Sequence, residues 1–137
     1  MTTNPPTPEE TLVAIVDDDA PVRQSARRLI RSLGYRAEAF GSAEEFLDSG
    51  RAKKTACLIL DVRMPRMDGL ELQRRLAGSS IPIVFITARA SEEEERRALQ
   101  AGAVAFLRKP VDKEALLRVL GAVREKSESD GGSHEND

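Results

Sequence analysis

Five short apolar runs, each handing over to a stretch of helical periodicity, constrain this chain more than any other feature. The runs are Leu12 to Val16, Tyr35 to Phe40, Ala56 to Leu60, Ile81 to Ile86 and Ala103 to Leu107. Most of them lack polar alternation, which suits strands of a parallel sheet covered on both faces. Tyr35 to Phe40 alternates weakly and suits an edge. Between the runs the period changes. Pro21 is tolerated in a first helical turn, Val22, Ala26, Leu29, Ile30 and Leu33 follow at helical spacing, and Gly34 supplies a stop. Ser42 with Glu45, and Ser91 with Glu94, have capping-box spacing and open helices that run to about Leu47 and Ala101. Leu70 to Ala77 offers Leu70, Leu72 and Leu76 to a core before Gly78-Ser79-Ser80 breaks the pattern. Asp112 caps a last helix striped by Leu116, Val119, Leu120 and Val123. Strand and helix alternating five times predict an α/β fold on a parallel sheet.

At 137 residues the chain is one domain by size. Pro-rich residues 1–10 read as a disordered lead, residues 11–126 as the folded domain, and the Ser, Gly and acid stretch 127–137 as a solvated tail. The formal net charge of −2 gives no bulk attraction to nucleic acid or anionic membrane. No apolar run approaches the roughly 20 residues of a membrane span, and the polar N-terminus is no secretory signal, so a cytoplasmic location is expected. The single cysteine, Cys57, cannot form an internal disulfide, and the lone histidine, His134, leaves no histidine cluster for zinc.

Chemistry concentrates where the runs stop. The first ends on Asp17, Asp18 and Asp19, the third on Asp61, the fourth on Thr87, the fifth on Arg108-Lys109-Pro110. In an open parallel sheet the carboxyl ends of strands line the ligand crevice. Taken singly, each residue has a plainer use: the acids and Thr87 as helix caps, Lys109 as a surface group. If the strands start level, however, all of them meet at one edge. Carboxylates at ~4 Å repel by roughly 1 kcal/mol per pair in water and ~4 kcal/mol at an intermediate dielectric, so such a cluster calls for a cation. Oxygen ligands with room for water suit Mg²⁺, and Lys109 adds a compact charge fit for a phosphate. A carboxylate so equipped can attack phosphorus and hold the acyl phosphate.

The set Val16-Asp17-Asp18, Leu60-Asp61-Val62-Arg63-Met64-Pro65 with Asp68-Gly69, Ile86-Thr87-Ala88 and Lys109-Pro110 resembles the receiver domain of two-component response regulators. The resemblance covers about residues 11–126, and Gly102 to Pro110 looks most like FixJ-type receivers. It implies a flavodoxin-like (βα)5 doubly wound sheet of order 2-1-3-4-5. It implies Asp61 as phosphoacceptor, served by a histidine kinase or phosphotransfer protein, and Mg²⁺ held by Asp18, Asp61 and the Arg63 carbonyl, with Asp17 mainly through water. It further implies Thr87 and Lys109 as partners of the phosphoryl oxygens, Thr87 and Phe106 as the switch, and a cis Lys109–Pro110 bond. The expected function is a phosphoryl-driven switch that reshapes the fourth helix and fifth strand for dimerisation or partner binding, not an enzyme beyond self-phosphorylation and autodephosphorylation.

Phe106 also reads as an ordinary core aromatic, and the run Glu92 to Glu95 as a solvated helix start favoured by the dipole. Positions 61 and 87 lie 26 apart, so the Gly78–Ser80 loop should be tight. Arg63 and Arg89, two past the acid and two past the threonine, stand where they would screen or bind a phosphoryl group. Competing readings are a phosphate sink or relay carrier without output and a Mg²⁺-dependent aspartyl phosphatase of the haloacid dehalogenase type. The phosphatase wants a second acid where Arg63 stands. A flavodoxin-type flavin binder fails on charge, because the acids at 17–19 would repel the flavin phosphate.

Overall fold

The computed structural model describes the backbone of residues 11–135 and the side chains of residues 11–125; the expected disordered lead at 1–10 lies outside the described residues. Five strands form one all-parallel sheet: β1 Leu12–Val16, β2 Arg36–Phe40, β3 Cys57–Leu60, β4 Ile83–Thr87 and β5 Ala105–Arg108. Their order is β2-β1-β3-β4-β5, as expected. The connections are α1 Ala20–Ser32, α2 Ala43–Asp48, α3 Gly69–Arg75 and α4 Glu92–Gln100, and α5 Lys113–Glu135 closes the chain. The backbone of α5 runs to Glu135 and so takes in part of the stretch expected to be a solvated tail. A helix satisfies its own backbone groups and can outrun the apolar stripe that docks it.

Alternating side chains divide the core in two. Val16, Leu58, Leu60 and Phe85 pack with Phe46 of α2 and Leu70 and Leu72 of α3. Val13, Ile15, Ile59 and Val84 pack with Ile30 of α1 and Leu116 and Leu120 of α5 on the opposite face. Burying each such side chain contributes about 1.5–3 kcal/mol relative to exposure. β1, β3 and β4 are covered on both sides, which explains their unbroken apolar runs; β5, at one edge, is only partly buried.

Local signals place the ends. Gly34 has φ 98° and donates to the Arg31 carbonyl at 2.9 Å, the left-handed closure glycine permits after a helix. Ser91 and Glu94 form the full capping box. At Ser42 only half of one forms: its hydroxyl accepts from Glu45 N at 3.0 Å, but the Glu45 carboxylate takes Gly41 N at 3.1 Å. The polar loop before β3 carries a 3-10 turn, Ala52–Lys54, that no pattern announced. The break after α3 is tight, with Ser79 N on Leu76 O at 2.9 Å.

Register fixes the functional edge. Val16 lies opposite Leu60, Leu60 opposite Phe85 and Thr87 opposite Arg108. The residues that follow, Asp17, Asp61 and Lys109, therefore emerge beside Thr87 at one end of the sheet.

Candidate functional site

Each acid is held differently. Asp17 is 5% exposed; its Oδ1 accepts from Asp19 N at 2.9 Å and its Oδ2 from Lys109 Nζ at 2.9 Å. Asp61 Oδ1 accepts from Arg63 N at 3.2 Å, and Oδ2 lies 3.4 Å from Lys109 Nζ. Asp18 is exposed, and its carboxylate takes no hydrogen bond among the described residues. One oxygen from each of the three lies within 4.8 Å of the others. Three carboxylates against one ammonium leave two formal negative charges at the cluster. Hard oxygens, excess negative charge and an open exposed member fit a divalent cation of the Mg²⁺ type.

Lys109 carries the only ammonium that reaches these acids among the described residues. Burial works against its charge, but the hydrogen bond and charge of Asp17, then those of Asp61, outweigh it and hold the pKa above the ordinary lysine value. The Lys109–Pro110 bond is cis.

Thr87 stands at the same end of the sheet, opposite Arg108, while Phe106 lies further back on β5, opposite Phe85. Thr87 is wholly buried, and its hydroxyl is turned into its own loop, donating to Arg89 O at 3.0 Å and accepting from Arg89 N at 3.3 Å. Phe106 is half-buried against Phe85, with ring centroids 5.7 Å apart, and the Arg108 guanidinium lies 5.5 Å over its ring. Arg108 also donates to Ala90 O at 2.9 Å and to Glu95 at 2.8 Å. The structure therefore brings Asp17, Asp18, Asp61 and Lys109 together, with Thr87 at the same end of the sheet and Phe106 against Phe85.

The Arg63 side chain is engaged elsewhere. Its guanidinium donates to Glu94 at 2.8 Å, and that same carboxylate oxygen closes the α4 capping box at Ser91 N. The β3–α3 loop and the start of α4 are thus tied together, and the glutamate run is only partly a solvated face.

Two local features escaped sequence reasoning. Arg66 holds φ 64° in the β3–α3 loop, a left-handed conformation uncommon outside glycine. Gly69 opens α3 against the end of β3. A Cβ there would sit 2.2 Å from the Asp61 carbonyl oxygen and 3.0 Å from Phe85. The adjacency of Asp68 as helix cap, with its side chain on Glu71 N at 2.9 Å, was a readable signal that a helix begins there; the crowding was not.

Comparison with known proteins adds an independent line. The sequence model of the response regulator receiver domain matches residues 13–121. The chain is 44% identical over 118 residues to the response regulator protein TmoT of Ectopseudomonas mendocina, covering 85% of this chain and 52% of that protein. It spans about half the length of the curated relatives it matches. Among solved structures it resembles a response regulator receiver protein from Burkholderia phymatum, with TM-score 0.74 and 44% identity over 84% of this chain and 95% of that one. It also resembles FixJ-N, with TM-score 0.75 and 34% identity over 84% and 94% of the two chains.

Proposed function

From membership of the response regulator receiver domain family, to which this chain belongs, we propose that Asp61 accepts a phosphoryl group from a histidine kinase or phosphotransfer protein. The observation that carries this is the convergence of Asp17, Asp18 and Asp61 within 4.8 Å, with Lys109 bridging two of them. An Asp61 carboxylate oxygen attacks phosphorus; the new P–O bond forms as the P–N bond of a phosphohistidine breaks, and the leaving imidazole takes up a proton.

Asp18, Asp61 and the Arg63 carbonyl, with Asp17 in support, would hold Mg²⁺, which would supply neutralisation of charge on the transferred group. Lys109 has its ammonium on Asp61 already, so it can follow charge from the carboxylate onto a phosphoryl oxygen. Thr87 must give up Arg89 O to donate to another oxygen. That turn draws in the β4–α4 loop, which Arg108 holds at Ala90, and frees Phe106 to follow. The face of α4, β5 and α5 then changes shape for dimerisation or partner binding. A phosphoryl group shifts this equilibrium only by its differential interaction with the two states, about 1.4 kcal/mol per tenfold.

The test is treatment with acetyl phosphate and Mg²⁺ followed by intact-mass measurement. The wild type should gain one HPO₃ unit and Asp61→Asn none. An adduct that persists in Asp61→Asn refutes the acceptor assignment.

A further inference from the structure

Two of the three acids are aimed by bonds to their own carboxylates, and the third is not. Asp17 is pinned by Asp19 N and Lys109, and Asp61 by Arg63 N and Lys109. The Asp18 carboxylate takes no hydrogen bond among the described residues. Its direction is set by its backbone alone, and so by the tilt of the Asp17–Asp18 peptide.

That peptide is gripped from the far side. Arg23, on the first turn of α1, donates from Nη1 to the Asp17 carbonyl oxygen at 2.8 Å. Its own backbone N–H makes an early bond of the helix, to Asp19 O at 2.8 Å. The guanidinium lies against the open face of Gly41, where a Cβ would be 3.4 Å from Nη1 and 3.7 Å from Cζ. The strand side is closed by Asp17 N on Phe40 O at 3.2 Å. From this geometry we infer that Arg23 is a positioning residue for the cation site: by clamping the Asp17 carbonyl it orients the Asp17–Asp18 peptide and aims Asp18 at the cluster.

The grip matters because the loop is under load. Three carboxylates within 4.8 Å push apart, and the one without a side-chain bond is the one free to swing away. One charged donor, Nη1, on the carbonyl makes a strong and directional bond, and a guanidinium behind the loop also offsets part of its negative charge. A partner one step removed from a metal ligand typically changes metal affinity by about 10–100-fold. Arg27 provides an internal comparison. It stands one turn along the same helix with the same charge, but its Nε reaches Ala37 O at 3.4 Å and not the acidic loop.

The inference rests on the cation-site reading above, and the experiment separates the two. Mg²⁺ is titrated calorimetrically into the full chain as wild type, Arg23→Met, Arg27→Met and Asp18→Asn, with melting in EDTA to verify folding. Arg23→Met should weaken Mg²⁺ binding about tenfold and Arg27→Met should leave it unchanged. Phosphorylation of Arg23→Met by acetyl phosphate should return to the wild-type rate at saturating Mg²⁺, a recovery that a folding defect would not show. Wild-type affinity in Arg23→Met overturns the inference. Equal losses in Arg23→Met and Arg27→Met also overturn it, since they make the effect one of helix charge. Wild-type affinity in Asp18→Asn sinks the cation site itself. If Arg23→Met does not fold, Arg23→Gln, too short to reach the carbonyl, decides by the same criteria.

Discussion

Cys57 shows what a single buried group does to the whole chain's response to pH. It is 1% exposed at the start of β3, and burial pushes its thiol up to about 12, against ~8.5 in an unfolded chain. The folded form keeps its proton longer, so the thiol's contribution is fully present below pH ~8.5 and drains away as pH rises toward the folded value, with a slope of up to about 1.4 kcal/mol per pH unit. Lys109, whose pKa is also raised, keeps its contribution below the ordinary lysine value of ~10.4 and loses it only above. The interval between pH ~8.5 and ~10 therefore isolates the thiol. Urea unfolding across it should show the wild type losing stability faster than Cys57→Ala; equal slopes would mean the thiol ionises freely in the fold. At this scale the acids, Thr87 and Lys109 were readable because strand ends are marked by where apolar runs stop. Arg23 was not. Its partner is a backbone carbonyl, and a backbone group leaves no trace in residue identity.

At the scale of elements, the start of α4 collects several connections. The Ser91 hydroxyl accepts from Glu94 N at 3.0 Å, and Glu94 returns to Ser91 N at 2.9 Å while also holding Arg63. Ser91→Ala should cost about 1 kcal/mol of stability. Glu94→Gln, which keeps an acceptor for the cap but loses the charge paired with an exposed Arg63, should cost less than about 1 kcal/mol. Urea unfolding gives both values, and hydrogen exchange should show faster opening confined to the first turn of α4 in Ser91→Ala. Equal costs for the two would show that the Arg63–Glu94 pair contributes as much as the cap. The cap itself was legible as Ser and Glu three apart. The ties of Glu94 and Glu95 to Arg63 and Arg108 were not, because those arginines come from other loops and strands and local charge runs carry no long-range address. The turn at Ala52–Lys54 escaped for another reason: three residues are too few to show a period.

For the molecule as a whole, one sheet serves two cores. Leu72 belongs to one and Ile30 to the other, and both are fully buried. Leu72→Ala should cost about 2–5 kcal/mol and Ile30→Val about 0.5–1.5 kcal/mol. With the sheet between them, the double variant should equal the sum within about 0.5 kcal/mol; a larger discrepancy in urea unfolding would show that the two faces communicate. The alternation of runs was enough to foresee layers and a parallel sheet, but not the order of the strands. Pattern says which residues are strand and is silent on who neighbours whom, so that order came only with the family resemblance. Gly69 shows how closely the assembled parts meet. With its Cβ site 2.2 Å from the Asp61 carbonyl oxygen, a lone methyl group at position 69 would lean on the peptide behind the carboxylate. The aim of the Asp61 carboxylate is thus vulnerable from the rear, to a change that brings no charge and never enters the cleft.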